Sequence, residues 1–545
     1  MAQGAGFAVV ESLVDLNQET YTSNRAAWDP VLQEFTNNLK KTVSEGTAAS
    51  TSRHESRGQL LARDRISLLL DSDSPFLELG TFAGFDLEDS SPCASLLAGI
   101  GSIRGRICMV IAHIATQSGG AWNELTVIKQ NRVTEIASEN DLPLVALVQS
   151  AGVFLPQQFR VFHKGGQIFR DLAVRTQNEQ ASCAVVFGSS TAGGAYHPGL
   201  SDYTIFVEDQ AQVFLAGPPL VKMATGEIIE PEELGGARVH GTVTGLADQI
   251  AVDEFDAILK ARDWVGTLKI PYRPDRITRR IMTPRYPIED IFSIVNPDIR
   301  KPFDMKEVVL RLVDDSRLAL FKPAYGPNLL TCWAQIMELT QAGMPVAIIA
   351  NQTPIINPDE ASKGAQFVRM CNQQNTPIVF LHNVTGFMVG SKAEHAAIIK
   401  KGAQFVSAVS CSKVPHISII MGASYGAGNY AMCGRSYRPR FLFTWPTGRC
   451  SVMGAEQLSG VMAQVEANSA KNKGVVLKSE EVEARVQRLR AQVDRDSSCY
   501  RTSGVVLDDG VIDPRDTRDV LGMCLEVVQS PKIQGSAGHR SLARM

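Results

Sequence analysis

Apolar residues along this chain gather in short continuous runs. The clearest are LPLVALV (142–148), CAVVFG (183–188), PIVFL (377–381) and HISIIMG (416–422). A strand buried on one face alternates apolar with polar; a strand buried on both does not, so these runs predict a parallel sheet covered on both sides. Helical stretches precede two of them, TVIKQNRVTEIASEN (126–140) and ASKGAQFVRMCNQQN (361–375). Each leads to a Pro-started strand, a glycine turn, a second helix-like segment, another apolar strand and a turn of small residues. Strands alternating with helices imply βαβ units and an α/β fold.

The grammar occurs twice. Gly188 opens GSSTAGGAY and Gly422 opens GASYGAGNY, an offset of 234 residues. The same offset carries Lys129 onto Lys363, Pro143 onto Pro377, Leu147 onto Leu381, Gly152 onto Gly386, Gly194 onto Gly428 and Tyr196 onto Tyr430. One register held this long implies an internal duplication, with halves expected at 1–275 and 276–545. Residues 1 to 80 read as helical and charged. Residues 266–300 carry five prolines and read as a linker. Residues 463–497 read as a charged, exposed helical arm, either solvated or gripping a neighbouring subunit.

At 545 residues the chain exceeds one ordinary core. Its 44% hydrophobic and 20% charged residues and net charge of −3 are ordinary for a globular protein and argue against nucleic-acid binding. The apolar runs are too short for a membrane span. Ten cysteines lack any CxxC pair, which reads as an intracellular protein with reduced thiols. The nine histidines show no paired ligand spacing; His197 and His240 read as satisfied polar residues, and no metal is expected. The N-terminus resembles neither a secretory signal nor a mitochondrial presequence, since Glu11, Asp15 and Glu19 precede the first arginine, Arg25. Ala543-Arg544-Met545 is a loose relative of a peroxisomal address. The compartment is left open.

Gly193-Gly194 and the matching Ala427-Gly428 could be mere strand-to-helix turns. Neither is a phosphate loop, because the GK[ST] of a Walker A motif is missing and the dinucleotide fingerprint fits poorly. An oxyanion hole fits better. Amides at a helix start have no intrahelical partner, and small residues let a ligand reach the backbone. Two copies mean two holes, suited to a reaction that forms two transient anions.

These residues carry a resemblance. SRHESRGQLLARDRISLLLD, SSTAGGAYHP, FLAGPPLVKMATGEIIEPEELGGARVH, NVTGFMVG, GASYGAGNYAMCGRSYRPRFLFTWP, SVMGAEQ and LDDGVIDPRDTR resemble, block after block, the carboxyltransferase β subunit of biotin-dependent acyl-CoA carboxylases. The 3-methylcrotonyl-CoA and geranyl-CoA branch is the most similar. The resemblance implies two tandem crotonase-like (ClpP/crotonase) domains. It implies an acyl-CoA on the N half and, on the C half of a neighbouring subunit, carboxybiotin brought by a biotin carboxylase and carrier α subunit. It also implies a homo-oligomer, a hexamer built as a trimer of dimers. By resemblance, Gly193 and Gly194 hold a thioester enolate, and Ala427 and Gly428 the ureido oxygen of biotin. Gly119, Gly120, Lys129, Ala151, Gly152 and Tyr196 fall on the CoA side; Gly386, Phe387, Tyr425 and Tyr430 fall on the biotin side. Biotin, after giving up CO2, can take the γ-proton of an unsaturated thioester, so no side-chain base is needed.

Departures from the family pattern concentrate around the acyl pocket. Gln149-Ser150-Ala151-Gly152-Val153 replaces Asp-Ser-Gly-Gly-Ala, Gln117 replaces a lysine, FRVFHKGGQIFRDLAVRTQ hardly matches, and ANQTPIIN replaces an Asn-Asn-Gly motif. That pattern implies a changed acyl substrate. Two alternatives stay open: a biotin-independent, enolate-forming acyl-CoA enzyme such as a decarboxylase, recruited to biosynthesis, and a non-catalytic scaffold subunit.

Overall fold

The computed structural model describes residues 7–269, 282–336, 344–473 and 479–529. The C-terminal tripeptide lies outside them, as does part of the Pro-rich segment. Two compact units emerge. One comprises residues 37–269 with 504–506; the other comprises residues 7–36, the described part of 282–503, and 507–529.

A short strand, β1 (Ala8–Val9), belongs to the second unit. The first unit holds β2 (Leu77–Glu78), β3 (Leu96–Ile103), β4 (Arg106–His113), β5 (Leu144–Ser150), β6 (Ser182–Thr191), β7 (Tyr203–Val207), β8 (Gln212–Phe214) and β9 (Gln249–Ala251). Their order is β2-β3-β4-β5-β6-β7-β9, with β8 beside the end of β6. The hairpin β3–β4 is antiparallel and everything from β4 onward is parallel. Val110, Val145, Leu147, Val185, Phe187 and Ile205 form the heart of its core.

The second unit repeats the plan with β10 (Arg317–Leu320), β11 (Leu329–Gln335), β12 (Pro345–Asn351), β13 (Ile355–Ile356), β14 (Ile378–Val384), β15 (Gly386–Phe387), β16 (His416–Tyr425), β17 (Phe441–Thr444) and β18 (Arg449–Ser451). The order is β1-β10-β11-β12-β14-β16-β17, with β18 beside β16 and a separate β13–β15 pair. Ile349, Phe367, Phe380 and Phe405 anchor this core.

The duplication is literal in backbone terms. β5 and β14, β6 and β16, and the helices Glu124–Glu139 and Pro358–Gln373 match residue for residue at the sequence offset. Both helices start from an Asn cap: Asn123 in a reciprocal box with Thr126, and Asn357 followed by Pro at the first helical position. Both are followed by a left-handed residue, Asp141 (φ 52°) and Asn375 (φ 56°). Register irregularities fall at Val148/Ser150 and at His382/Val384, also equivalent.

Two segments differ from expectation. Residues 7–36 belong with the second unit rather than with the half they begin. β1 pairs with β10, and Trp28, fully buried, packs 5.1 Å from Phe292 and donates its indole N–H to the Val295 carbonyl (2.7 Å). The described end of the Pro-rich segment is core, not linker. Ile291, Phe292, Ile294 and Val295 form an apolar turn buried under that tryptophan. The expected arm is two helices packed on each other, Ala455–Lys473 and Ser479–Asp496.

Candidate active site

In the first unit, β6 runs extended to Thr191 (φ −115°, ψ 155°), and Ala192 then turns left-handed (φ 49°). The chain enters a short helical turn, Ala192–Ala195. Among the described residues the amides of Gly193 and Gly194 donate to no other element. A Cβ on Gly194 would sit 3.2 Å from Cβ and O of Ser150; one on Gly193 would sit 3.2 Å from Cζ3 of Trp122. A side chain at either position would press on the floor beneath the turn.

Two glycine turns are stitched beside it. Ala151 N–H donates to Gly119 O (2.9 Å), Ser150 Oγ donates to Gly120 O (2.8 Å), and Gly152 N–H donates to Ser150 Oγ (3.2 Å). Gly119, Gly120 and Gly152 are left-handed, and a side chain on Gly120 would run into the Gln149 carbonyl. The structure therefore brings together Gly119, Gly120, Ala151, Gly152, Gly193 and Gly194. Tyr196 adjoins them, with its ring 5.1 Å from Phe169, which lies 6.4 Å from Trp122.

The floor under this turn is aromatic. Trp122 donates its indole N–H to His113 Nε2 (3.1 Å), and the two ring planes lie within 14° of each other. Burial lowers His113 to about 4 and His197 to about 3, so both imidazoles are neutral. Gln130 bridges to His197 Nδ1 (3.2 Å).

Lys129 is elsewhere. Its buried ammonium donates to Leu96 O (2.5 Å) and Cys93 O (3.2 Å) and lies 2.9 Å from Cys93 Sγ. Lys363, its repeat partner, likewise donates to Gly326 O (3.1 Å) and Leu329 O (2.8 Å). Each lysine ties down the loop that starts an outer strand, a structural job repeated in both halves. Two of the family departures are also built in: Gln117 donates to Ser44 O (3.0 Å), and Gln149 accepts from Arg65 (2.9 Å), itself paired with Glu254 in the interior.

The second unit reproduces the turn. Tyr425 (φ −115°, ψ 148°) ends β16, Gly426 is left-handed (φ 53°), and the helix Gly426–Ala431 begins. The Ala427 and Gly428 amides donate to no other element among the described residues. A Cβ on Gly428 would meet Val384 Cγ2 at 2.6 Å and Gly386 Cα at 3.1 Å, so Gly386 abuts this turn as Gly152 abuts the first. Phe387 packs on the core beneath. Tyr425 is buried, which pushes its hydroxyl up to about 12. Tyr430 is 44% exposed against 45% for Tyr196, and stacks on Tyr437.

Here the floor is polar. Asn429 Nδ2 donates to Ser424 Oγ (2.8 Å), which lies 2.9 Å from Nδ1 of the buried His382. The equivalent positions in the first unit are Val148, Ser190 and Ala195. Sequence reasoning passed over this trio, and over Trp122 and Phe169. The signal was present at His382 and Asn429, where the repeat register holds but the residue type changes, to Val148 and Ala195.

Chemically, each turn offers two small-residue amides at a helix start to a developing negative oxygen. Among the described residues no three His, Cys, Asp or Glu side chains converge as a metal site.

Known proteins are similar to this chain over most of its length. A family profile described as the carboxyl transferase domain matches residues 53–541. A probable biotin-dependent acyl-coenzyme A carboxylase beta2 subunit of Mycobacterium tuberculosis is 44% identical over 532 residues, covering 97% of this chain and 99% of that protein. The mitochondrial methylcrotonoyl-CoA carboxylase beta chain of Arabidopsis thaliana is 42% identical over 535 residues, covering 96% and 90%. The crystal structure of the P. aeruginosa geranyl-CoA carboxylase beta subunit superposes with a TM-score of 0.88 at 37% identity, covering 99% of this chain and 100% of that one.

Proposed function

Since the chain belongs to the carboxyl transferase family and is the carboxyltransferase subunit of an acyl-CoA carboxylase, we propose that it moves a carboxyl group from carboxybiotin, carried on a separate α subunit, to an α,β-unsaturated acyl-CoA. The similarity to methylcrotonoyl- and geranyl-CoA carboxylase subunits supports a branched enoyl thioester as the acceptor. One observation carries the reading: a strand-to-helix turn at the same place in both repeats, each with a left-handed corner and a glycine, Gly194 or Gly428, pressed against its neighbours, the two turns resting on different floors.

The aromatic floor of Trp122 and Phe169 supports assigning Gly193 and Gly194 to the thioester. These amides would receive the thioester oxygen as the γ-proton leaves and the dienolate forms. The apolar surroundings strengthen that attraction, because little water competes. The polar floor of His382, Ser424 and Asn429 supports assigning Ala427 and Gly428 to the ureido oxygen of biotin. That turn suits a planar polar group, since among the described residues its amides donate to no other element and Gly386 beside it has open space where a side chain would be. Carboxybiotin supplies the CO2 and, once decarboxylated, a base. The protein's part is to hold both oxygens and exclude water; the neutral His113 and His197 lie beneath the first turn and are not asked to move a proton. A homohexamer is the expected assembly, and exposed apolar residues such as Phe159, Phe162, Val389 and Ile399 support subunit contact.

The test is reconstitution with an α subunit, ATP, bicarbonate and 3-methylcrotonyl-CoA or a longer branched homologue. Carboxylated thioester should form only with biotinylated partner. Product formed without biotin overturns the proposal and favours the biotin-independent alternative.

A further inference from the structure

The two turns share a backbone but not a support. Under Ala427–Gly428 a hydrogen-bonded chain of three side chains crosses from strand to strand to helix. Asn429 sits in the helix Gly426–Ala431, three residues past its start. Its Nδ2 donates to Ser424 Oγ (2.8 Å) on β16, and that oxygen lies 2.9 Å from His382 Nδ1 on β14. All three are buried, His382 and Ser424 completely. The Asn429 main chain is fixed as well: its backbone carbonyl accepts from Gly434 N–H (2.8 Å), and Gly434 has no Cβ to collide with the Asn429 side-chain amide. In the first unit Val148 and Ala195 replace the histidine and the asparagine, and the Ser190 hydroxyl is buried without a partner. The difference is therefore confined to one of two otherwise matching turns.

We infer that His382, Ser424 and Asn429 are positioning residues for the Ala427–Gly428 amides. Ser424 Oγ accepts from Asn429 Nδ2 and is hydrogen-bonded to His382 Nδ1. The chain ties the first helical turn to β14. A turn so tied cannot rotate its amides away from a ureido oxygen. The N-half turn lacks this chain: Ser150 stitches the neighbouring glycine turns, and Trp122 and Phe169 supply the floor. The inference rests on the assignment of biotin to the second turn.

The test uses the full-length protein and runs transfer backwards: free biotin-dependent decarboxylation of the carboxylated enoyl-CoA. Ser424→Ala leaves two buried polar groups unpaired and should lower kcat/KM for biotin by about 10–100-fold. The KM for the CoA thioester should stay within about twofold, a split that general loosening of the fold would not give. Ser424→Thr, which keeps the hydroxyl, should restore most of the rate. His382→Asn, which keeps a hydrogen-bonding group where Nδ1 sits, should outperform His382→Leu. Ser190→Ala should change nothing. The inference is overturned if Ser424→Ala matches wild type while Gly428→Ala is inactive, or if both substrates' KM values rise together. If Gly428→Ala itself leaves the biotin reaction intact, the assignment of the second turn falls, and this inference with it.

Discussion

Gly428→Ala is the sharpest perturbation available. An alanine Cβ there would stand 2.6 Å from Val384 Cγ2 and 3.1 Å from Gly386 Cα. Carbon–carbon contacts settle at about 3.5–4.0 Å, so the helix start must retreat by roughly 1 Å. Val384 cannot rotate freely out of the way, being β-branched in the middle of a sheet. Oxyanion donors work at about 2.7–3.1 Å, and losing one costs about 2.7–4 kcal/mol, or roughly 10²–10³ in kcat. Gly194→Ala meets Ser150 at 3.2 Å, a milder squeeze of a few tenths of an ångström. Its loss should be nearer about tenfold. The assay is steady-state carboxylation by the reconstituted enzyme, with thermal melting and size-exclusion chromatography confirming the fold. Adding Val384→Ala to Gly428→Ala removes the nearer clash and should recover at least about tenfold of the lost kcat. Near wild-type activity in Gly428→Ala would refute the placement of catalysis in these amides. Failure of Val384→Ala to rescue would refute displacement as the cause.

Other consequences can be measured directly. Lys129→Met leaves three carbonyl or thiol contacts empty and should destabilise the fold by about 2–4 kcal/mol in urea melts; an unchanged melt with a raised KM for CoA would return Lys129 to the binding site. His113, His197, His382 and His416 are held neutral by burial, at about 4, 3, 3 and 4. Unfolded histidine binds its proton near pH 6.5, so stability is full above that value and is lost as pH falls toward 4. Each group contributes up to about 1.4 kcal/mol per pH unit, readable in urea midpoints between pH 7.5 and 5. Asp508 runs the other way: burial raises its carboxyl to about 6, so its ionised form opposes folding increasingly from pH 4 to above pH 6. The melting temperature of Asp508→Asn relative to wild type should therefore improve between pH 5 and pH 8.

The legible part of the fold was the part set by local pattern. Runs buried on both faces announced β5, β6, β14 and β16, and glycines at fixed spacing announced both turns. Tertiary choices were not legible. Nothing in the order of residues says that Trp28 fills a core built nearly three hundred positions later, or that IFSIV between prolines is interior. Lys129 was placed on the CoA side by resemblance alone; its buried ammonium on carbonyl oxygens, repeated at Lys363, is a tertiary contact that spacing does not reveal. The polar trio under the second turn escaped because similarity between the copies drew attention to what they share. His382 against Val148 and Asn429 against Ala195 lie in the remainder.

Ala192 and Gly426 occupy the same left-handed corner, at φ 49° and 53°, yet only one of them is glycine. A methyl group in that conformation stores about 1–2 kcal/mol of steric energy immediately upstream of Gly193. The N-half corner is thus spring-loaded where its twin is slack, and Ala192→Gly would release the tension in the hinge through which that peptide pair is aimed.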